Sequence, residues 1–411
     1  MHAIDLITLG DELLLGIRQN AHLLWIGDQL ARHGLVLRRN LVLPDDPAVI
    51  QHDFGKSWNT ANIVITTGGL GPTGDDVTRE AVAEALGLEL VFDTSIETAI
   101  GERFAQLGQT ITENSLKQCY KPEGAEILPN PHGTAPGLYL EHKGKVLIML
   151  PGPASELRPI WRDAVIPRLR KAGVLAGQTP YLQLRTCGIG ESLLETTLHP
   201  TLDNYPGLHI AYCAHQGLVD IRLSLSQNTR LPQQLYAAGE ACRAQLGAHF
   251  VSYGAPSLAS VVISRLKTLD RTLAVAESCT GGLLSHRLTE VPGASQVFAG
   301  GVICYSNQAK ITMLDVPSAL LERYGAVSTE TAEALAQGAA QRFNTDYALS
   351  ATGLAGPSSD ADTPVGTVYI ACFSPDSLRS HKLFHPAERS TVKAHAVTAA
   401  LDELRRELCK V

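Results

Sequence analysis

The chain predicts an α/β protein built as two three-layer α/β domains joined by a small α+β domain. Short apolar, β-branched runs alternate with amphipathic stretches over residues 1–170, the pattern of a parallel sheet covered by helices. Over 171–253 the alternation gives way to closely spaced strand-like runs, and over 254–411 it resumes. A chain of 411 residues also exceeds one ordinary core, which fits the same division.

In the first domain Ile4–Leu9 reads as a strand and Ala21–Gly34 as an amphipathic helix. Asn62–Thr67 reads as a buried strand, Thr78–Leu86 as a helix, and Lys145–Leu150 as another strand, stopped by Pro151-Gly152-Pro153. The middle segment offers strands at Tyr181–Cys187, Leu208–Cys213 and Leu218–Ser226, with helices at Glu191–His199 and Leu231–Leu246. The last domain reads as helix 256–267, strand 272–276, helix 281–289, strand 299–305, helix 330–343, strands 346–351 and 366–373, and a helix from about Thr391.

The composition, 45% hydrophobic and 18% charged, is that of a soluble globular protein. A formal charge of −7 and a pI near 6.1 argue against a nucleic-acid partner, since no basic surplus exists to neutralise a row of phosphates. Eight scattered cysteines without a Cys-x-x-Cys pair point to reduced, buried thiols and a cytoplasmic setting. The N-terminus enters a strand without a basic leader, and no apolar run reaches membrane-spanning length.

Ala276-Glu277-Ser278-Cys279-Thr280-Gly281-Gly282 is the most informative stretch. It joins an apolar strand to a helix, so the Ser278 hydroxyl can stand exposed while backbone N–H groups face the same point. Tyr305 and Lys310, in Tyr-Ser-Asn-Gln-Ala-Lys, follow 27 and 32 residues later. Serine with a lysine base is an alternative to Ser-His-Asp for acyl transfer. The expectation is a serine-dependent amide hydrolase. The loop Thr352-Gly353-Leu354-Ala355-Gly356-Pro357 can bring backbone N–H groups to an anion. Pro364-Val365-Gly366-Thr367 sits beside another strand, and open α/β sheets place ligands at such strand ends. Each patch has a plainer reading: a helix cap, a surface pair, a tight turn. Cys279 is a rival nucleophile, without a histidine nearby except His286. His381 and His385 lie on a strand, about 13 Å apart, too far to share a zinc.

Ala-Glu-Ser-Cys-Thr-Gly-Gly, Tyr-Ser-Asn-x-x-Lys, Gly325-Ala326-Val327-Ser328, Thr-Gly-x-Ala-Gly-Pro and Pro-Val-Gly-Thr-Val-Tyr occur in this order over 255–411. Together they resemble the nicotinamide-nucleotide amidase domain of the CinA family. The resemblance implies hydrolysis of nicotinamide mononucleotide (NMN) to nicotinic acid mononucleotide and ammonia. It implies Ser278 as nucleophile, Lys310 as general base and Tyr305 as the group that orients the pair. It places Thr352 and the backbone of Thr280, Gly281 and Gly282 on the amide or its oxyanion, and Arg389 on the nucleotide. The chain departs from the family in Ala387-Glu388-Arg389, where a Gly-Asp-Arg element is usual, and in a 358–362 loop without the usual glycines.

The second sharp feature is Thr66-Thr67-Gly68-Gly69-Leu70-Gly71-Pro72-Thr73-Gly74-Asp75-Asp76 ahead of the helix at Thr78. Gly68, Gly69, Gly71 and Thr73 can gather N–H groups around a phosphate. Asp75 and Asp76 suit a divalent cation (magnesium, manganese or cobalt) bridging to a diphosphate. Asp11 and Glu12 bring two more carboxylates to a strand end, and Lys117 and Asn130 are candidates for the same rim. A capped helix after a tight turn is the plainer alternative. This set resembles the molybdopterin-biosynthesis domain in its CinA version, and Arg185–Ser192 resembles the CinA linker. That resemblance implies metal-dependent hydrolysis of ADP-ribose, a binding-only N-terminal domain being the alternative, and a homodimer. For the amidase domain the resemblance implies no cofactor.

Overall fold

A computed structural model describes residues 2–175, 181–215, 217–225, 232–357 and 363–410. Contacts divide the chain into two compact units, Met1–Pro180 and Tyr181–Val411, so the middle segment belongs to the same body as the C-terminal one.

The first unit is a six-stranded sheet in the order Leu37–Leu43, Ile4–Leu9, Ile63–Thr67, Lys145–Leu150, Gly137–His142, Glu126–Leu128. Helices cover both faces. Ile26, Leu30 and Trp161 pack on one side, and Ile50, Phe54 and Val82 on the other. The first four strands are parallel and the last two antiparallel, so the sheet is mixed where the alternation predicts a parallel one. The reversal happens at Lys143-Gly144, both at positive φ, a two-residue hairpin whose twist matches the flanking strands. Leu37–Leu43 escapes the apolar-run pattern because it carries Arg38 and Arg39. Both donate to Asp5, fully buried on the neighbouring strand, at 2.8–2.9 Å.

In the second unit the middle segment forms an antiparallel sheet, Leu208–Ala214, Leu218–Leu225, Tyr181–Cys187, Phe250–Tyr253. Helices Glu191–Leu202 and Pro232–Leu246 close its core. The ends expected at Ser226 and Leu231 lie outside the described residues. The C-terminal sheet runs Phe298–Ile303, Leu273–Glu277, Tyr347–Gly353, Thr367–Phe373, Leu378–Phe384, the first three parallel and the last two antiparallel. Thr329–Phe343 covers one face; Leu258–Leu269 and Arg389–Leu408 cover the other. Cys187 and Val251 of the antiparallel sheet join that second core, which ties the two parts of this unit together.

In each α/β sheet the strand that comes first in the chain has its successors on opposite sides. Ile4–Leu9 lies between Leu37–Leu43 and Ile63–Thr67, and Leu273–Glu277 lies between Phe298–Ile303 and Tyr347–Gly353. Chain direction splits at the carboxyl end of that strand and leaves a crevice there. Gly10–Glu12 and Ser278 occupy these two positions.

Candidate active site

Strand Leu273–Glu277 is fully buried and delivers Ser278, itself only 8% exposed, to the second crevice. Gly281 and Gly282 have φ of 60° and 95°, the left-handed region, which turns the chain within four residues into helix Leu283–Thr289. Glu277 fixes this turn. Its carboxylate, fully buried, accepts from the N–H groups of Gly282, Leu284 and Ser285 and from the Ser285 hydroxyl at 2.7–3.0 Å. It thereby satisfies the orphan donors of the helix start. Sequence reasoning passed over Glu277, although a charged residue closing an apolar strand needs buried partners.

Lys310 lies in the second turn of Asn307–Leu314, a helix capped by the Ser306 hydroxyl on Ala309 N–H. It is 1% exposed. Its Nζ donates to Ser278 Oγ at 3.1 Å and to the Cys304 carbonyl at 3.0 Å. Neither partner is a carboxylate, and burial holds the Lys310 amine below the ordinary lysine range. Cys279 is buried and its thiol is pushed up to about 12, chiefly by desolvation, so the thiolate is inaccessible at neutral pH.

The other expected contacts are distributed differently. Tyr305 is 62% exposed, and its hydroxyl accepts from Arg389 at 2.8 Å instead of bonding to Ser278 or Lys310. Arg389 also donates to the Gly356 carbonyl at 2.6 Å, which joins the three loops of the rim. Thr352 is buried, and its hydroxyl is spent on the Ala326 carbonyl at 2.6 Å, so it supports the floor. Gly353 serves packing: a Cβ there would stand 2.6 Å from the Thr367 carbonyl oxygen. The Gly282 N–H is taken by Glu277, whereas those of Cys279 and Thr280 have no chain partner among the described residues. Lys393, four residues after Arg389 and so on the same helix face, was absent from the sequence reading. Its Nζ lies 3.6 Å from where a Cβ of Gly281 would be. The altered 358–362 loop lies outside the described residues.

The first crevice is a cavity of about 410 Å³ whose walls include Glu12, Asp45, Gly68–Gly71, Thr73, Asp75, Asp76 and Gln118. Its glycine loop is held from beneath. Thr78 Oγ1 donates to the Gly68 carbonyl, buried Arg79 to Leu70 and Gly71, and Lys117 to Thr73 and Asp76. Lys117 and Arg79 thus hold the loop's carbonyls, while the N–H groups of Gly69, Leu70 and Gly71 have no chain partner among the described residues. Asn130 is no rim contact: its amide is consumed by the His132 and Gly133 N–H groups, the Ala135 carbonyl and Glu156.

The four expected metal ligands do not gather. The Asp11 carboxylate accepts from the Asp45 N–H while the Asp45 carboxylate accepts from the Asp11 N–H, Asp76 accepts from Thr73, and only Glu12, Asp75 and Asp76 of the four line the cavity. Among the described residues no three His, Cys, Asp or Glu side chains form an all-protein metal cage. A magnesium-type ion that arrives with a diphosphate needs only one or two carboxylates. Burial and the nearby carboxylates of Asp11, Asp75 and Glu12 raise the Asp45 carboxyl, a crowding of negative charge that suits a cation.

All eight cysteines are free, and no helix among the described residues is long and apolar enough to cross a membrane. Residues 255–408 match the family model described as CinA C-terminal domain. Residues 5–171 match "Probable molybdopterin binding domain" and 183–251 match "Damage-inducible protein CinA KH domain". A CinA-like protein of Akkermansia muciniphila is 40% identical over 415 residues, covering 98% of each chain. CinA-like proteins of Kosmotoga olearia and Dictyoglomus thermophilum are 38% and 36% identical, again with 98% of each chain covered.

Proposed function

This chain belongs to the CinA family, and on that premise we propose that its C-terminal domain is an NMN amidohydrolase working through Ser278 and Lys310. The observation that carries the reading is the 3.1 Å contact between the Ser278 hydroxyl and a buried lysine with no acidic partner among the described residues. A neutral amine donating one N–H to the Cys304 carbonyl keeps its lone pair for Ser278. The serine hydroxyl then donates to it and becomes nucleophilic.

Ser278 Oγ attacks the carboxamide carbon while Lys310 takes the hydroxyl proton. The oxyanion is met by the N–H groups of Cys279 and Thr280. Lys310 passes its proton to the departing nitrogen, ammonia leaves, and an acyl-serine remains. Water, deprotonated by the same amine, attacks the ester, and the proton returns to Ser278 as the product acid departs. Arg389 and Lys393 supply positive charge for the nucleotide phosphate.

Incubation of the full chain with NMN tests this reading, with ammonia and nicotinic acid mononucleotide expected in equal amounts. Binding of NMN without ammonia would instead favour a nucleotide-binding regulatory protein.

The N-terminal cavity supports a second reading, a nucleoside-diphosphate site and an ADP-ribose pyrophosphatase. What favours it is the loop whose carbonyls are held by Arg79 and Lys117, leaving N–H groups for phosphate oxygens. One or two of the carboxylates on the cavity wall, from Glu12, Asp75 and Asp76, would hold a divalent ion that arrives with the diphosphate and polarises it when bound.

A further inference from the structure

A second cavity, of about 470 Å³, adjoins the glycine-loop cavity of the N-terminal unit, and Thr134 lines both. Ile96 and Ala99 of helix Thr94–Gln106, Ile127, and Pro129, Pro131 and Pro136 wall it. The loop that carries Thr134 is held from within. Asn130 Oδ1 accepts from the N–H groups of His132 and Gly133, and its amide nitrogen donates to the Ala135 carbonyl and to Glu156. Arg103 ties the same loop to the helix through the His132 carbonyl at 3.2 Å. A Cβ at Gly133 would stand 2.1 Å from a Glu156 carboxylate oxygen, so loop and carboxylate are in close contact. Asn130 and Gly133 line the second cavity and Glu156 the first, so a single hydrogen-bonded layer, already in place, separates the two.

The proline-rich wall is poorly suited to a phosphate. Pro129, Pro131 and Pro136 have no N–H, and those of His132 and Gly133 are spent on Asn130. The charges that line this cavity, Glu102 and Arg103, balance each other. Donors for an anion lie on the other side of Thr134, in the N–H groups of Gly69, Leu70 and Gly71. What the second cavity does offer is rigid apolar surface, from one side of a helix and from proline rings, against which a flat heterocycle loses its contact with water. A nucleoside diphosphate held by its phosphates at the glycine loop has an arm that needs such a place. We propose that this second cavity is the base subsite of the N-terminal site, the ribose crossing at Thr134 and the base lodging between helix Thr94–Gln106 and the prolines. The inference rests on the nucleoside-diphosphate reading of the first cavity and adds where, and by what surface, the nucleoside is held.

The test is calorimetric titration of the full chain, in magnesium buffer, with ADP and with ribose 5-diphosphate, which is ADP without its base. Wild type is expected to bind ADP at least about tenfold more tightly, as burial of the base implies. Ala99 is exposed on the cavity side of the helix, so Ala99→Trp fills the space without disturbing the core. That variant is expected to bind ADP no more tightly than the abasic analogue, and a variant that keeps the preference overturns the proposal. Should it fail to fold, photolabelling of wild type with 8-azido-ADP decides. Labels on residues 95–106 or 127–136 support the subsite, and labels confined to other segments overturn it. Equal affinity of wild type for the two ligands removes the base subsite and leaves the diphosphate reading standing. If neither ligand binds, the nucleoside-diphosphate reading falls and takes the proposal with it.

Discussion

Lys310 is buried at the point where a charge is least welcome, and in the proposed reaction that placement suits it to act as a base. Desolvation depresses its pKa in the folded chain, while the unfolded chain keeps the ordinary value of about 10.4. Between the two the unfolded state binds more protons, so the stability lost to the buried ammonium is recovered as pH rises through that window. The proposed catalysis needs the neutral amine, so kcat/KM for ammonia release should climb with pH and level off at a midpoint below 10.4. Lys310→Met should lower kcat/KM by at least about 100-fold with a urea midpoint at pH 7 no lower than wild type. Loss of folded protein in that variant would show that the lysine serves the fold instead.

Ser278 and Lys310 were legible in the sequence because both residue types are chemically committed once they meet at a strand end. Tyr305, Thr352, Asn130 and Lys117 were legible only as polar groups near a rim. Their partners, Arg389, the Ala326 carbonyl, the 132–135 loop and the Thr73 carbonyl, are set by packing that no local pattern encodes.

The element that shapes the site is the strand–turn–helix unit Leu273–Thr289, and Glu277 is its fastener. Replacing one carboxylate oxygen by an amide opposes N–H with N–H. Glu277→Gln should therefore cost about 1–3 kcal/mol in urea unfolding and lower kcat along with it. An unchanged midpoint would mean that the turn holds itself. The start of helix Arg389–Leu408 is the second such element. Lys393→Ala should raise KM for NMN about tenfold or more, as the loss of a charge-assisted phosphate contact implies, and leave turnover of the unphosphorylated riboside unchanged. Equal effects on both substrates would place Lys393 away from the phosphate. Most elements could be read from apolar runs and caps within a few residues. The antiparallel edges could not, because two-residue turns such as Lys143-Gly144 are weak signals beside long buried strands.

At the scale of the molecule, one architectural rule is used twice. Each α/β sheet divides chain direction at the strand that comes first in the chain, and each crevice receives a loop to which chemistry is proposed. The two sites lie in separate compact units, so their activities should be separable. Ser278→Ala should leave AMP release from ADP-ribose at the wild-type rate, and Asp75→Ala should leave ammonia release intact. AMP release should require added divalent ion and stop in excess chelator.

The central claim, that Ser278 and not its neighbour attacks the amide, is tested most directly by ammonia release from NMN in the wild-type chain, Ser278→Ala and Cys279→Ala. The account predicts a loss of about 10⁴-fold or more in the serine variant and activity within a few-fold of wild type in the cysteine variant. Ammonia release that survives without the Ser278 hydroxyl, or vanishes with the Cys279 thiol in a folded protein, would contradict it.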